Sequence, residues 1–282
     1  MLETRELTIR FGGHVAVNAV SCRFEPGTLT AIVGPNGAGK TTYFNLISGQ
    51  LRPSAGSVHL DGRELTRLPA STRARIGLGR AFQLTNLFPN LSVLENVRLA
   101  VQARESSARG LRLWSVWSDH KDWISEAEDL LRDVALLAQA DVVVATLPHG
   151  DQRKLEVALL MALKPSIYMF DEPTAGMSRD ETPVILDLIR RLKQDKTKTI
   201  LLVEHKMDVV GELADRIIVL TDGRLVADGD PDEVIASPVV QQAYLGLTPE
   251  EACGSNNGPP SPTLPPRGEG AGAASSGRGD VQ

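Results

Sequence analysis

Gly34-Pro35-Asn36-Gly37-Ala38-Gly39-Lys40-Thr41 is the stretch that decides how this chain is read. It fits the pattern G-x-x-x-x-G-K-[ST], follows the apolar run Leu29 to Val33, and heads a stretch of helical spacing that closes at Gly49. The glycines permit backbone conformations closed to residues with a Cβ, so that successive N–H groups converge on phosphate oxygens beside a helix N-terminus. This motif assigns Lys40 to the β- and γ-phosphates of a nucleotide and the Thr41 hydroxyl to Mg²⁺, and the nucleotide-binding set runs from Gly34 to Thr42. An ordinary glycine-rich strand-to-helix turn would account for the loop alone, so the reading depends on partners further along the chain.

One such partner is Ile167-Tyr168-Met169-Phe170-Asp171-Glu172, an apolar run ending in two carboxylates. A buried strand of a parallel sheet delivers its last residues to the edge where ligands collect. Asp171 is suited to hold Mg²⁺, directly or through water, and Glu172 to polarise an attacking water.

Other short β-branched runs bounded by breakers, Ile200 to Val203 and Ile217 to Leu220, are apolar on both faces like Leu29 to Val33. That pattern predicts a parallel sheet covered by helices, hence an α/β fold. Asp222-Gly223 signals a hairpin between Ile217 to Leu220 and Leu225 to Ala227. From about Asn90 to Asp141 helical spacing takes over. Ser125 with Glu128 forms a capping-box pattern, after which Ala127, Leu130, Leu131, Val134 and Leu137 recur at three- and four-residue steps. Trp114, Trp117 and Trp123 fall here and are expected to pack this helical part. From Thr248 the composition turns to Pro, Gly and Ser, which predicts a disordered tail.

The chain has 282 residues, 42% of them hydrophobic, enough to bury a substantial core. No window approaches the ~20 apolar residues needed to span a bilayer, and Met1 to Arg5 leads into a strand-like segment, so the expectation is a cytoplasmic protein that meets membrane through partners. The net charge of −5 argues against a nucleic-acid binder held by a basic face. The two cysteines, Cys22 and Cys253, make neither a disulfide framework nor a thiolate metal site.

Taken in order, these motifs resemble the ATP-binding cassette (ABC) ATPases. Gln83, in Arg80-Ala-Phe-Gln83, matches the family's glutamine linking Mg²⁺ to a helical subdomain, and His205, in Leu202-Val-Glu-His205, matches the switch histidine that contacts the γ-phosphate. Phe11 falls where the family places an aromatic ring on adenine. Leu147-Pro148-His149-Gly150-Asp151-Gln152 is similar to the signature motif, whose helix N-terminus faces ATP bound to the other subunit. Pro148 stands where the common form has serine, and Ser178 where many members have aspartate. Leu147 to Ala158, Asp171 to Ser178, Ile200 to Met207 and Gln242 to Gly246 narrow the resemblance to the ATPases of branched-chain amino acid importers.

The resemblance implies a cassette over residues 1–247, with a parallel-sheet core, an N-terminal antiparallel β part and a helical subdomain inserted at about 90–160. It implies ATP and Mg²⁺ as ligands and hydrolysis carried by Glu172, His205 and Gln83, with Thr41, Gln83 and Asp171 at the metal. It also implies a second ATPase subunit, two membrane-spanning permease subunits and a periplasmic solute-binding protein, and a place on the cytoplasmic face of the inner membrane. A soluble ABC-class ATPase acting on nucleic acid, a small-molecule P-loop kinase, a urea or amide importer and a lipid or polysaccharide exporter are the alternatives.

Overall fold

A computed structural model of the chain describes residues 1–81, 87–109, 121–238 and 240. It opens on a hairpin, β1 (Leu2–Phe11) and β2 (His14–Phe24), then runs through β3 (Leu29–Val33) into α1 (Lys40–Ser48). Next come β4 (Ala55–Leu60), β5 (Arg63–Glu64), α2 (Ala70–Arg75) and β6 (Leu78–Ala81). Helices α3 (Val93–Arg109), α4 (Lys121–Asp133) and α5 (His149–Leu163) lead to β7 (Ile167–Asp171), α6 (Thr182–Lys193), β8 (Thr199–Val203) and α7 (Met207–Leu213). A second hairpin, β9 (Arg216–Thr221) and β10 (Arg224–Gly229), precedes α8 (Pro231–Ala236).

Two sheets result. The first, in the order β2-β1-β4-β5, is antiparallel; the second, β10-β9-β3-β8-β7-β6, is parallel except for its edge strand β10. This is the α/β architecture expected from the two-faced apolar runs. Every residue of β3, β7 and β8 is buried, because helices or the other sheet cover both faces. Period two sorts the side chains: Ile167, Met169, Leu201 and Val203 pack with Phe44 and Ile47 of α1 and with the antiparallel sheet. Tyr168, Phe170, Ile200 and Leu202 face a core shared with α3, α4, α5 and α6. Asp222 and Gly223 both take positive φ, 49° and 72°, as a two-residue hairpin turn requires.

Helix α1 ends at Gly49 (φ 82°), and Arg73 secures that end. The Arg73 side chain is almost fully buried and donates to the carbonyls of Leu46 (2.8 Å), Ile47 (2.6 Å), Thr66 (3.0 Å) and Leu68 (3.0 Å). A cation at a helix C-terminus meets both the orphan carbonyls and the negative end of the dipole. Burial pulls its pKa down to about 10, which leaves it protonated at neutral pH.

The helical part departs from the capping-box expectation. Helix α4 is already under way at Lys121, so Ser125 and Glu128 lie inside it. Trp123, Ala127 and Leu131 carry the apolar stripe, and the same local pattern serves a helix interior as well as a start. The helix also stops before Leu137: Ala135 turns left-handed at φ 57°, and Leu137 belongs to a short 3₁₀ turn. Strands at β7, β8 and β9 run one or two residues longer than their apolar runs. Trp114, Trp117, Gln83, Gln242 to Gly246 and the Pro/Gly-rich tail lie outside the described residues.

Arg104 of α3 ties three helices together. Its guanidinium makes a two-pronged pair with Glu126 of α4 (2.8 and 2.7 Å) and donates to the Ala162 carbonyl of α5 (2.7 Å). Arg104, aided by Lys164, holds the Glu126 carboxyl at about 2 against an ordinary 4.5, despite the opposing effect of burial. The folded pKa is the lower one, so this stabilisation is complete above 4.5 and disappears as pH falls through about 2. Glu126→Gln is therefore expected to be less stable than the parent at pH 7, with the gap closing across that acid window. Urea unfolding at stepped pH measures it, and a gap independent of pH would remove the ion pair as its cause.

Candidate functional site

The loop from Gly34 to Gly39 crosses from the end of β3 to the start of α1 through space that glycine alone can use. A Cβ on Gly34 (φ 153°) would lie 2.1 Å from the Leu220 carbonyl oxygen, and one on Gly39 (φ 94°) 2.4 Å from that of Ala16. Gly39 is the N-cap of α1, so the helix opens with its first N–H groups turned toward the loop. Residues 36–42 line a cleft of about 400 Å³ together with Phe11, His14, Ala16 and Glu172. Lys40 is mostly buried, and its Nζ donates back to the carbonyls of Gly34 (2.5 Å) and Pro35 (3.0 Å). Burial lowers its pKa, and the carboxylates of Glu172 and Asp171 offset part of that shift. Phe11, at the end of β1, is 49% exposed on the cleft rim instead of packed in the core.

The C-terminal end of β7 brings the two acids to the same place. Asp171 is buried, and its Oδ2 accepts from Arg80 Nη2 at 2.7 Å, while Oδ1 is buried with no partner among the described residues. Glu172, the next residue, takes a left-handed φ of 49°, a conformation that costs a non-glycine residue on the order of 1 kcal/mol. Its N–H donates to the Val203 carbonyl (2.9 Å), which fixes that backbone beside the end of β8. His205 follows on the loop after β8 with its side chain half exposed.

Two further residues organise this edge, and neither stood out from its local sequence. Glu204 is fully buried; one oxygen accepts from Thr174 Oγ1 (2.8 Å) and the other from the His205 N–H (3.1 Å), joining the loop after Glu172 to the loop that carries His205. The signal for it was a carboxylate directly behind an all-apolar strand. Arg80 is the other, a charged residue within a strand whose four residues are all buried.

The segment 148–152 lies on α5, apart from the cleft lining. Pro148, with neither an N–H nor a polar side chain, is the N-cap, and His149 to Gln152 form the first turn. Asp151 accepts from Lys154 (2.8 Å) and Gln139 (3.2 Å), and Gln152 donates to the Leu147 carbonyl (2.9 Å), so both side chains are engaged within their own chain. Gly150 is buried against Glu181, whose carboxylate oxygens would lie 2.8 Å from an added Cβ. That carboxylate accepts from Lys154 (2.9 Å) and from the Ser178 N–H (2.9 Å), which hold its pKa at about 2, the Ser178 bond first.

The family model for ABC transporters matches residues 17–175, over half of the chain. The chain belongs to the ABC transporter ATP-binding family. A second model, for branched-chain amino acid ATP-binding cassette transporters, matches residues 224–246 of this ABC ATPase. BraF of Pseudomonas aeruginosa, a high-affinity branched-chain amino acid transport ATP-binding protein, is 38% identical over 250 residues, which is 87% of this chain and 98% of BraF. LivG of Escherichia coli, of the same description, is 38% identical over 249 residues, again 87% and 98% of the two chains. Among solved structures, the ADP conformation of the ABC transporter cassette MJ1267 superposes with a TM-score of 0.73 at 25% identity, covering 88% of this chain and 99% of that one. The dimeric post-hydrolysis state of the cassette MJ0796, bound to ADP and inorganic phosphate, gives 0.71 at 26%, covering 82% and 99%. As an ABC ATPase the chain binds ATP and hydrolyses it to drive transport.

Proposed function

We propose that this ABC ATPase powers the import of branched-chain amino acids and that its ATP site is completed by a second subunit. The observation that carries the second point is that the cleft of the Gly34–Thr42 loop is lined by Phe11, His14, Ala16 and Glu172 and by none of residues 148–152. The near-full-length similarity to BraF and LivG supports the cargo. In this reading Phe11 stacks on adenine at the rim, the N–H groups of residues 34–42 and the Lys40 ammonium bind the phosphates, and Glu172 takes a proton from the water that attacks the γ-phosphorus. ADP is the leaving group, and His205 contacts the γ-phosphate as it transfers. The turn at Gly150 in the partner subunit closes the far side, as the dimeric cassette structure encourages.

The residues present fit Mg²⁺. Thr41 supplies a hydroxyl in the first turn of α1, and Asp171 Oδ1 is a buried acceptor without a partner among the described residues, both of the hard oxygen type that the ion takes. Gln83 belongs to the same proposed set. When bound, the ion supplies positive charge to the phosphate oxygens; orientation of water and removal of its proton fall to Glu172.

No helix among the described residues is long and apolar enough to cross a membrane. The similarity to the transport ATP-binding proteins BraF and LivG supports a place at the cytoplasmic face of the inner membrane, where two membrane-spanning permease subunits hold the chain and receive solute from a periplasmic binding protein. Helices α3 to α5, coupled through Gln83, transmit closure of the ATPase dimer to those subunits. The native complex is expected to carry two permease-like chains, and in proteoliposomes its ATPase should rise severalfold with binding protein loaded with leucine, isoleucine or valine. Stimulation by urea or short amides instead would replace the cargo, and isolation without any membrane subunit would overturn the transport assignment.

A further inference from the structure

Arg80 reaches the proposed metal site from behind. Strands β6 and β7 are parallel neighbours with Arg80 opposite Met169, so Arg80 shares a sheet face with Met169 and with Asp171 two residues on. That face packs on α1, and the Arg80 guanidinium lies 5.5 Å from the Phe44 ring centroid. One terminal nitrogen, Nη2, binds Asp171 Oδ2 at 2.7 Å. The other, Nη1, donates to Asn45 Oδ1 (2.6 Å), Ser48 Oγ (3.0 Å) and Gln50 Oε1 (3.2 Å), at the far end of the helix whose first turn holds Lys40 and Thr41.

The side chains of this pair are 4% and 0% exposed. A buried ion pair is a poor source of net stability, since apolar residues of the same volume often do as well, so its presence here calls for a use. We propose that Arg80 is a positioning residue for hydrolysis: it fixes Asp171 to α1, and thereby to Thr41, while leaving Oδ1 as the free oxygen for the metal. Asn45 and Thr41 are separated by about 6 Å of rigid helix, so the clamp sets the spacing of the two oxygen donors. Lysine cannot reproduce it, because a compact ammonium lacks the planar fork that meets a carboxylate on one side and three acceptors on the other. The inference rests on the reading of Asp171 as a metal-holding residue.

The test is binding of a fluorescent ATP analogue to the full-length chain, titrated with Mg²⁺ and repeated in EDTA. Arg80→Gln is expected to raise the Mg²⁺ concentration for half-maximal binding by about tenfold or more, while affinity in EDTA stays within about twofold. Arg80→Lys, which keeps a charge beside Asp171 and preserves the fold, is expected to shift it by about threefold. An unmoved Mg²⁺ requirement in folded Arg80→Gln overturns the proposal, as does equal weakening with and without metal, the mark of a purely structural role. If Arg80→Gln does not fold, an unmoved requirement in Arg80→Lys overturns it. Asp171→Asn separates the layers: if it raises the Mg²⁺ requirement while the Arg80 variants do not, only Arg80 loses its role. If it raises nothing, the metal reading of Asp171 fails as well.

Discussion

Replacing Glu172 with glutamine is expected to lower kcat for ATP by about 10²- to 10⁴-fold while leaving ATP affinity at least as high as in the parent. The substitution preserves size, and the backbone that places residue 172 is held by its own N–H to the Val203 carbonyl, a bond the side chain does not touch. An amide cannot accept a proton from water at neutral pH, so the loss falls on the chemical step. It also removes a negative charge from a cleft that must admit triphosphate, which favours the bound state. Nucleotide-loaded dimer should then accumulate because nothing discharges it. Steady-state ATPase assays report the first effect, and size-exclusion chromatography with ATP the second. Undiminished turnover would transfer the general-base role to another group.

What was legible in the sequence was what local physics determines. Gly34 and Gly39 sit where a Cβ would strike a backbone oxygen, a constraint that leaves its mark in the residue type itself. The fully buried strands declare themselves because burial on both faces removes alternation. Asp171 and Glu172 were readable as the end of such a strand. Other features depend on contacts between distant parts of the chain. Arg80 and Asp171 are 91 residues apart and Thr174 and Glu204 are 30 apart, so each charge looks ordinary until the sheet brings its partner alongside. Gly150 was recognisable within its motif, but the atoms that an added Cβ would meet belong to Glu181 on another segment, and no spacing rule points there. Ser125 shows the converse error, a local pattern with two meanings, settled by the stripe of Trp123, Ala127 and Leu131 against the core.

Lys40→Ala is expected to weaken ATP binding itself. The ammonium lies in the cleft with burial already penalising its charge, and it donates to two carbonyls of its own loop. Phosphate oxygens are better partners than those carbonyls, since both members of the new pair are charged. Removing such a charge-assisted contact costs about 2–3 kcal/mol, or roughly 30- to 160-fold in dissociation constant. The consequence for stability is as large and easier to read. ATP at 100 times the parent's dissociation constant stabilises the folded chain by about 2.7 kcal/mol, and a variant binding about 100-fold more weakly retains only about 0.4 kcal/mol of that. Thermal unfolding with and without ATP should therefore show a large nucleotide-dependent shift in the parent and almost none in the variant, with similar melting in its absence. An undiminished shift would mean that the loop N–H groups hold the phosphates unaided and that the ammonium stays on the Gly34 and Pro35 carbonyls when ATP is bound.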